Sequence, residues 1–255
     1  MTLTVAEGIK FLSTPSPKAL AAVAVVVPVA FAGVVAGTAG DSAAITVGVS
    51  QAGHQFGIAP ILAMAMASIT TEYRYNTIKA TFLAVPRRGS VLVAKAAVAA
   101  LVCGAIGLVS AFGSLTVATL MAPEADLALD TAADWRNVAG LAAYYAIAAV
   151  IAVAAGALVR HTAAALTLLL GYSLFVESLV PAIPGVGVEV HRWLPFNVGK
   201  QFLIGAPDPG AAPPGPPAPP PSTSLLSPWW ALAYYAAVAL ALLGVAIVTA
   251  RRRDA

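Results

Sequence analysis

The sequence predicts an all-α integral membrane protein: six transmembrane helices, an N-terminal amphipathic interfacial helix, and a re-entrant or interfacial segment before the last helix. Three observations carry that expectation. Of 255 residues, 60% are hydrophobic and only 10% are charged, whereas a soluble domain carries about 25% charged residues. The charges are gathered into blocks, leaving six uncharged or nearly uncharged runs, each reaching the roughly 20 residues needed to cross an apolar layer about 30 Å thick. The basic residues concentrate on alternate connections between those runs, as they do in a chain threaded back and forth through a bilayer. One domain, 1–255, is expected.

Residues 1–18 come first. Val5, Ile9 and Leu12 stand four and three residues apart on one helical face, Lys10 lies off it, and Pro15 and Pro17 close the segment. That spacing predicts a short amphipathic helix along the inner leaflet. The spans follow at Ala19–Gly40, Ala43–Thr71, Ala96–Ala122, Asn137–Val159, Thr162–Ala182 and Pro228–Ala250. The first has a longer apolar run than a cleaved signal peptide, and its Lys18 comes late, so it is expected to stay as a helix. The second and third exceed the bilayer thickness and are expected to tilt or project.

With the N-terminus inside, the inner segments hold Lys10, Lys18, Arg74, Lys79, Arg87, Arg88, Lys95, Arg160, Arg251, Arg252 and Arg253. The outer segments hold Arg136, Arg192 and Lys200. Eleven against three predicts cytoplasmic N- and C-termini, and the opposite topology would reverse the bias. The net charge of +3 comes mostly from these orienting residues and gives no sign of nucleic-acid binding. Residues 183–227 form the long outer loop. In it, HRWLPFNVGKQFLIG mixes aromatic, Gly, Pro and apolar residues, as a re-entrant or interfacial segment does. The tract Pro207–Pro221 is expected to be an extended polyproline spacer.

The chain lacks GxxxxGK[ST], HExxH, GxSxG and CxxC motifs. Its single cysteine, Cys103, excludes an intrachain disulfide. His54, His161 and His191 are assigned to different depths and sides of the membrane. No catalytic residue, metal or cofactor is therefore expected. Two polar features stand out inside the spans. Gln51, His54 and Gln55, at i, i+3 and i+4, predict one polar helix face that either lines a substrate path or bonds between helices. Glu177, the one acid within a span, either reaches the outer headgroups or lines an outward-facing cavity. The pairs Gly33/Gly37 and Gly53/Gly57 allow close helix approach, within the bundle or between two copies.

The segment 72–95, TEYRYNTIKATFLAVPRRGSVLVAK with its leading Thr71, lies between the second and third spans. Glu72-Tyr73-Arg74-Tyr75-Asn76-Thr77-Ile78-Lys79-Ala80-Thr81, then Val85-Pro86-Arg87-Arg88 and Ala94-Lys95, resembles the signature of ABC-2 type permeases. Ala6-Glu7-Gly8-Ile9-Lys10 is similar to their amphipathic N-terminal helix, and Trp193-Leu194-Pro195-Phe196-Asn197 also fits. Two departures are Asn76, where glycine is frequent in the family, and the proline tract. The resemblance implies a half-transporter in a bacterial plasma membrane. Two permease copies, identical or paralogous, would pair with two separate ATP-binding subunits. It also implies a coupling loop in which Glu72, Arg74, Thr77, Lys79, Pro86, Arg87 and Arg88 meet the ATPase, with Glu72 pairing with an arginine. The substrate path would run along the first, second and fifth spans and include Gln51, His54, Gln55 and Glu177. Export of a hydrophobic or amphipathic compound (drug, lipid or peptide) is expected. Three other readings stay open: a membrane scaffold or assembly protein without transport, an ion-coupled secondary transporter, and a basic loop that only sets topology and binds anionic lipid.

Overall fold

The computed structural model describes residues 3–13, 15–39, 45–78, 88–205 and 222–253. It contains six helices long and apolar enough to cross a membrane, and no strand occurs among the described residues. The chain is a multi-pass, all-α membrane protein. Its elements are α1 (Leu3–Ser13), α2 (Pro15–Thr38), the single turn α3 (Val47–Ser50), α4 (His54–Arg74), α5 (Arg88–Met121) and α6 (Ala132–Val159). The fifth span, α7, runs Thr162–Ala182; after it come α8 (Gly187–His191), α9 (Pro195–Ile204) and α10 (Pro228–Arg253).

The bundle is organised around α6, which packs against α5, α4, α10 and α9. Its apolar window is 61% buried, against 22% for α7 and 28% for α2 and α10, so those three present their apolar faces outward. Small residues let the central helices meet closely. A Cβ at Gly53 would stand 2.7 Å from the Pro28 backbone, and one at Gly33 would stand 2.9 Å from Val117 of α5. The Gly53/Gly57 pair therefore serves packing within the bundle, whereas Gly37 faces open space.

Three boundaries differ from those read off hydropathy, two of them where a side-chain cap sets the helix start. The second span does not run unbroken from Ala43. Thr46 caps α3 by accepting from the Val49 N–H, and a turn at 51–53 precedes α4. The third begins at Arg88 rather than Ala96, so Lys95 lies two turns inside α5. The fourth begins at Ala132 rather than Asn137. A capping box fixes it: Thr131 Oγ1 accepts from the Asp134 N–H, and the Asp134 carboxylate accepts from the Thr131 N–H. Lys79, Pro86, Arg87 and the Pro207–Pro221 tract lie outside the described residues.

Helix α1 has two working faces. Val5 and Ile9 are exposed and form the outward apolar stripe expected of an interfacial helix. Glu7 and Phe11, four residues apart on another face, are buried against the bundle. Asn76, just past α4, has φ of 56°. That left-handed conformation is one glycine adopts freely and asparagine tolerates better than most residues.

Candidate functional site

At one end of the bundle the chain buries a knot of charge. Lys95 of α5 donates to Glu7 Oε2 at 2.5 Å and to Glu72 Oε1 at 2.7 Å. Lys10 reaches the same two acids at 2.9 and 3.2 Å. The side chains of Lys95 and Glu7 are 2% and 4% exposed, so these charges are stable only because they meet each other. The knot joins three elements: α1, the last turn of α4, and α5. Burial alone would raise the Glu7 pKa, but the contacts with Lys95 and then Lys10 prevail and hold it below the usual range. Burial would lower the Lys10 pKa, but Glu7 and Glu72 prevail and hold it above the usual range.

Other basic residues gather at this end. The Arg160 guanidinium lies 4.9 Å from the Tyr73 ring centre, and that of Arg74 lies 5.6 Å from Tyr75. A Cβ at Gly89 would stand 3.1 Å from the Arg251 guanidinium. Thr77 Oγ1 donates to the Glu72 carbonyl at 3.5 Å, a long contact across the turn at Asn76.

The opposite end holds a cavity of about 450 Å³ lined by residues of α4, α6, α7 and α9, among them Gln55, Ile58, Tyr144, Glu177, Phe196 and Lys200. Tyr144 and Phe196 supply its aromatic lining, backed by further rings: Tyr144 and Tyr235 stack with ring centres 5.5 Å apart, Phe196 meets Tyr235 at 5.9 Å, and Tyr172 meets Phe196 at 6.3 Å. A π-helical turn at Gly171–Val176 interrupts α7 immediately before Glu177. Such turns add a residue to the helix and commonly mark functional sites.

Glu177 is 2% exposed and does not reach outward. Its Oε1 accepts from the Phe196 N–H at 3.0 Å and its Oε2 from the Asn197 N–H at 2.7 Å. The Leu194–Pro195 start of α9 supplies no side-chain cap. Glu177 takes that place from another helix and sets a negative charge at the positive end of α9. Asn197 then ties the outer loop down: its Nδ2 donates to the His191 carbonyl at 2.8 Å and to Thr223 Oγ1 at 3.2 Å. Lys200 stands one turn beyond Phe196 on the same face of α9 and makes no hydrogen bond or ion pair among the described residues. Burial pushes its pKa below the usual range, with the Glu177 charge acting the other way.

The residues singled out from sequence separate into these two regions. Gln55 and Glu177 line the cavity. Gln51 instead donates to the Ala111 carbonyl and Ser50 Oγ, each at 3.1 Å. His54 bonds the Gln51 carbonyl through Nδ1 at 2.8 Å and meets the Tyr144 ring edge-on. The expected shared face of Gln51, His54 and Gln55 is broken because α4 starts only at His54. Glu72 pairs with lysines rather than with an arginine, and it lies within the last turn of α4, so Glu177 is not the one acid inside a span. Sequence reading missed Glu7, Lys95, Asn197 and Lys200 as site residues. For Glu7 the available signal was its four-residue spacing from Phe11.

These features define a multi-pass membrane protein with a charge-locked end and a cavity at the other. No family model, curated protein or solved structure matches the chain.

Proposed function

We propose that this chain is the permease subunit of an exporter of the ABC-2 type, driven by a separate ATP-binding subunit and moving hydrophobic or amphipathic compounds out across a bacterial plasma membrane. The observation that carries the reading is the charge knot. The connection between α4 and α5 leaves Glu72 and returns to Lys95, and both residues are held in one buried cluster with Glu7. A segment that takes up work from a partner must be fixed where it joins the membrane, or its motion is lost in slack. The basic residues Arg74, Lys79, Arg87 and Arg88 would meet acidic groups of the ATPase through charge-assisted bonds. Glu72 and Thr77 would shape the base of that segment, and Pro86 its exit into α5.

In this reading the knot end is cytoplasmic, with both chain termini on that side, as the basic excess demands. Two permease copies work with two ATPase subunits, and the outward apolar faces of α2, α7 and α10 are available to lipid and to the second copy. The cavity at Gln55 and Glu177 is the outer part of the substrate path. Its size falls within the range of about 300–1,000 Å³ usual for small-molecule sites.

The test is co-isolation from native membranes in a mild detergent. The chain is expected to purify with a subunit that hydrolyses ATP, and Arg87→Glu with Arg88→Glu is expected to weaken that association at unchanged expression. A stable complex without an ATPase, or full association of the double variant, would overturn the docking claim and favour a scaffold or an ion-coupled carrier.

A further inference from the structure

We propose that the cavity at the α9 end binds an anionic amphiphile, its carboxylate or phosphate head against Lys200 and its apolar body along Ile58, Leu174, Pro181 and Phe196. The inference names the substrate class of the cavity and rests on the transport reading only for the step from binding to movement.

The argument is one of elimination among the lining groups. Both oxygens of Glu177 accept from the backbone of α9. Asn197 bonds the His191 carbonyl and Thr223, and His191 Nδ1 meets Thr223 Oγ1 at 2.7 Å. Ser178 Oγ turns back onto the carbonyls of Leu174 and Phe175, at 2.7 and 2.9 Å. Lys200 is the charged lining group left without a hydrogen bond or ion pair among the described residues. It lines a cavity whose remaining wall is mostly aromatic and aliphatic. A half-buried ammonium gains most from an anionic partner. Phe196 and Lys200, four residues apart on α9, set an apolar surface beside that charge, so a ligand with an apolar body next to one negative head fits both. A cationic amphiphile would place like charges together, and a neutral one would leave Lys200 with only the Glu177 charge, whose oxygens are already taken up by α9.

The experiment measures equilibrium binding of radiolabelled decanoate to the purified full chain in a neutral maltoside detergent, with decanol and decyltrimethylammonium as competitors. Decanoate is expected to bind saturably, at least tenfold tighter than either competitor. Lys200→Met is expected to weaken it at least tenfold and Lys200→Arg to restore it. Ile58→Trp, which fills the cavity, is expected to remove it while the thermal midpoint is retained. Equal binding of the three amphiphiles, or unchanged binding by Lys200→Met, would overturn the proposal. Repeating the measurement in nanodiscs with and without phosphatidylglycerol separates the two sources of such a head. Competition by the lipid points to a lipid occupant, and decanoate binding that ignores the lipid points to a free amphiphile. Lys200-dependent binding that leaves ATP hydrolysis by the assembled complex unaltered would count against the transport reading and leave this one standing.

Discussion

The two ends of the bundle handle buried charge in opposite ways. At the knot end, Lys95, with its side chain 2% exposed, meets two carboxylates drawn from helices far apart in the sequence. At the cavity end, Glu177 is as well buried but meets two backbone N–H groups, and the nearby cation Lys200 makes no hydrogen bond or ion pair among the described residues. Side-chain pairing closes the first region and binds three elements into one body. Backbone capping holds the second together while leaving a cation facing space. In the proposed reading, the first arrangement suits the region that takes up work and the second the region that receives a ligand.

The sharpest way to break this contrast is to remove the buried charge at each end. Lys95→Met leaves Glu7 and Glu72 buried with only the half-exposed Lys10 as counter-charge and is expected to cost about 3 kcal/mol, the lower end of the range for a broken buried pair. The thermal midpoint in detergent should fall, and α1 should become open to protease. Converting all three residues to apolar ones, as Glu7→Met, Glu72→Met and Lys95→Met, should recover most of the loss, because apolar groups of similar volume need no charged partner. A single variant as stable as the parent would mean that the knot is not what fixes α1.

Glu177→Gln probes the other end. The amide keeps one acceptor oxygen for two N–H donors and gives up the charge at the start of α9, so a loss of about 1–3 kcal/mol is expected. Hydrogen exchange should locate it: the first-turn amides of α9 should open faster, with those of α1 unchanged. Protection lost equally at both ends would mean that the two regions are a single cooperative unit.

The sequence made the spans legible and left the sites mostly hidden, for a physical reason. Apolar runs such as 96–122 are local and reveal themselves to any window of about 20 residues. The contacts that define the sites are not local. Lys95 and Glu7 are 88 positions apart, and Glu177 and Phe196 are 19, so no spacing rule connects them. Hydropathy also misjudges the helix ends, because Lys95 counts as a break although its partners keep it inside α5. The capping box at Thr131 and Asp134 was readable and would have placed the start of α6. Asn76 has a φ of 56°, a backbone conformation that glycine adopts freely. Asn76→Gly should accordingly be neutral. Asn76→Val, β-branched and forced left-handed, should cost about 1–2 kcal/mol in thermal stability.

The smallest expected effect is the most discriminating within the knot. Lys10 contacts the same two acids as Lys95, but its side chain is 49% exposed, so Lys10→Ala should cost under about 1 kcal/mol. Its pH dependence follows from the two shifts. Glu7 lies below its ordinary 4.5, so its contribution is fully present above that value and is lost as pH falls through its lower folded value. Lys10 lies above its ordinary 10.5, so its contribution is fully present below that value and is lost as pH rises through its higher folded value. Between pH 5 and 9 the difference between parent and Lys10→Ala should therefore stay flat, and it should shrink on acidification as Glu7 takes up a proton and again in strong alkali as Lys10 loses one. A Lys10→Ala loss as large as that of Lys95→Met would show that burial is not what separates these two lysines.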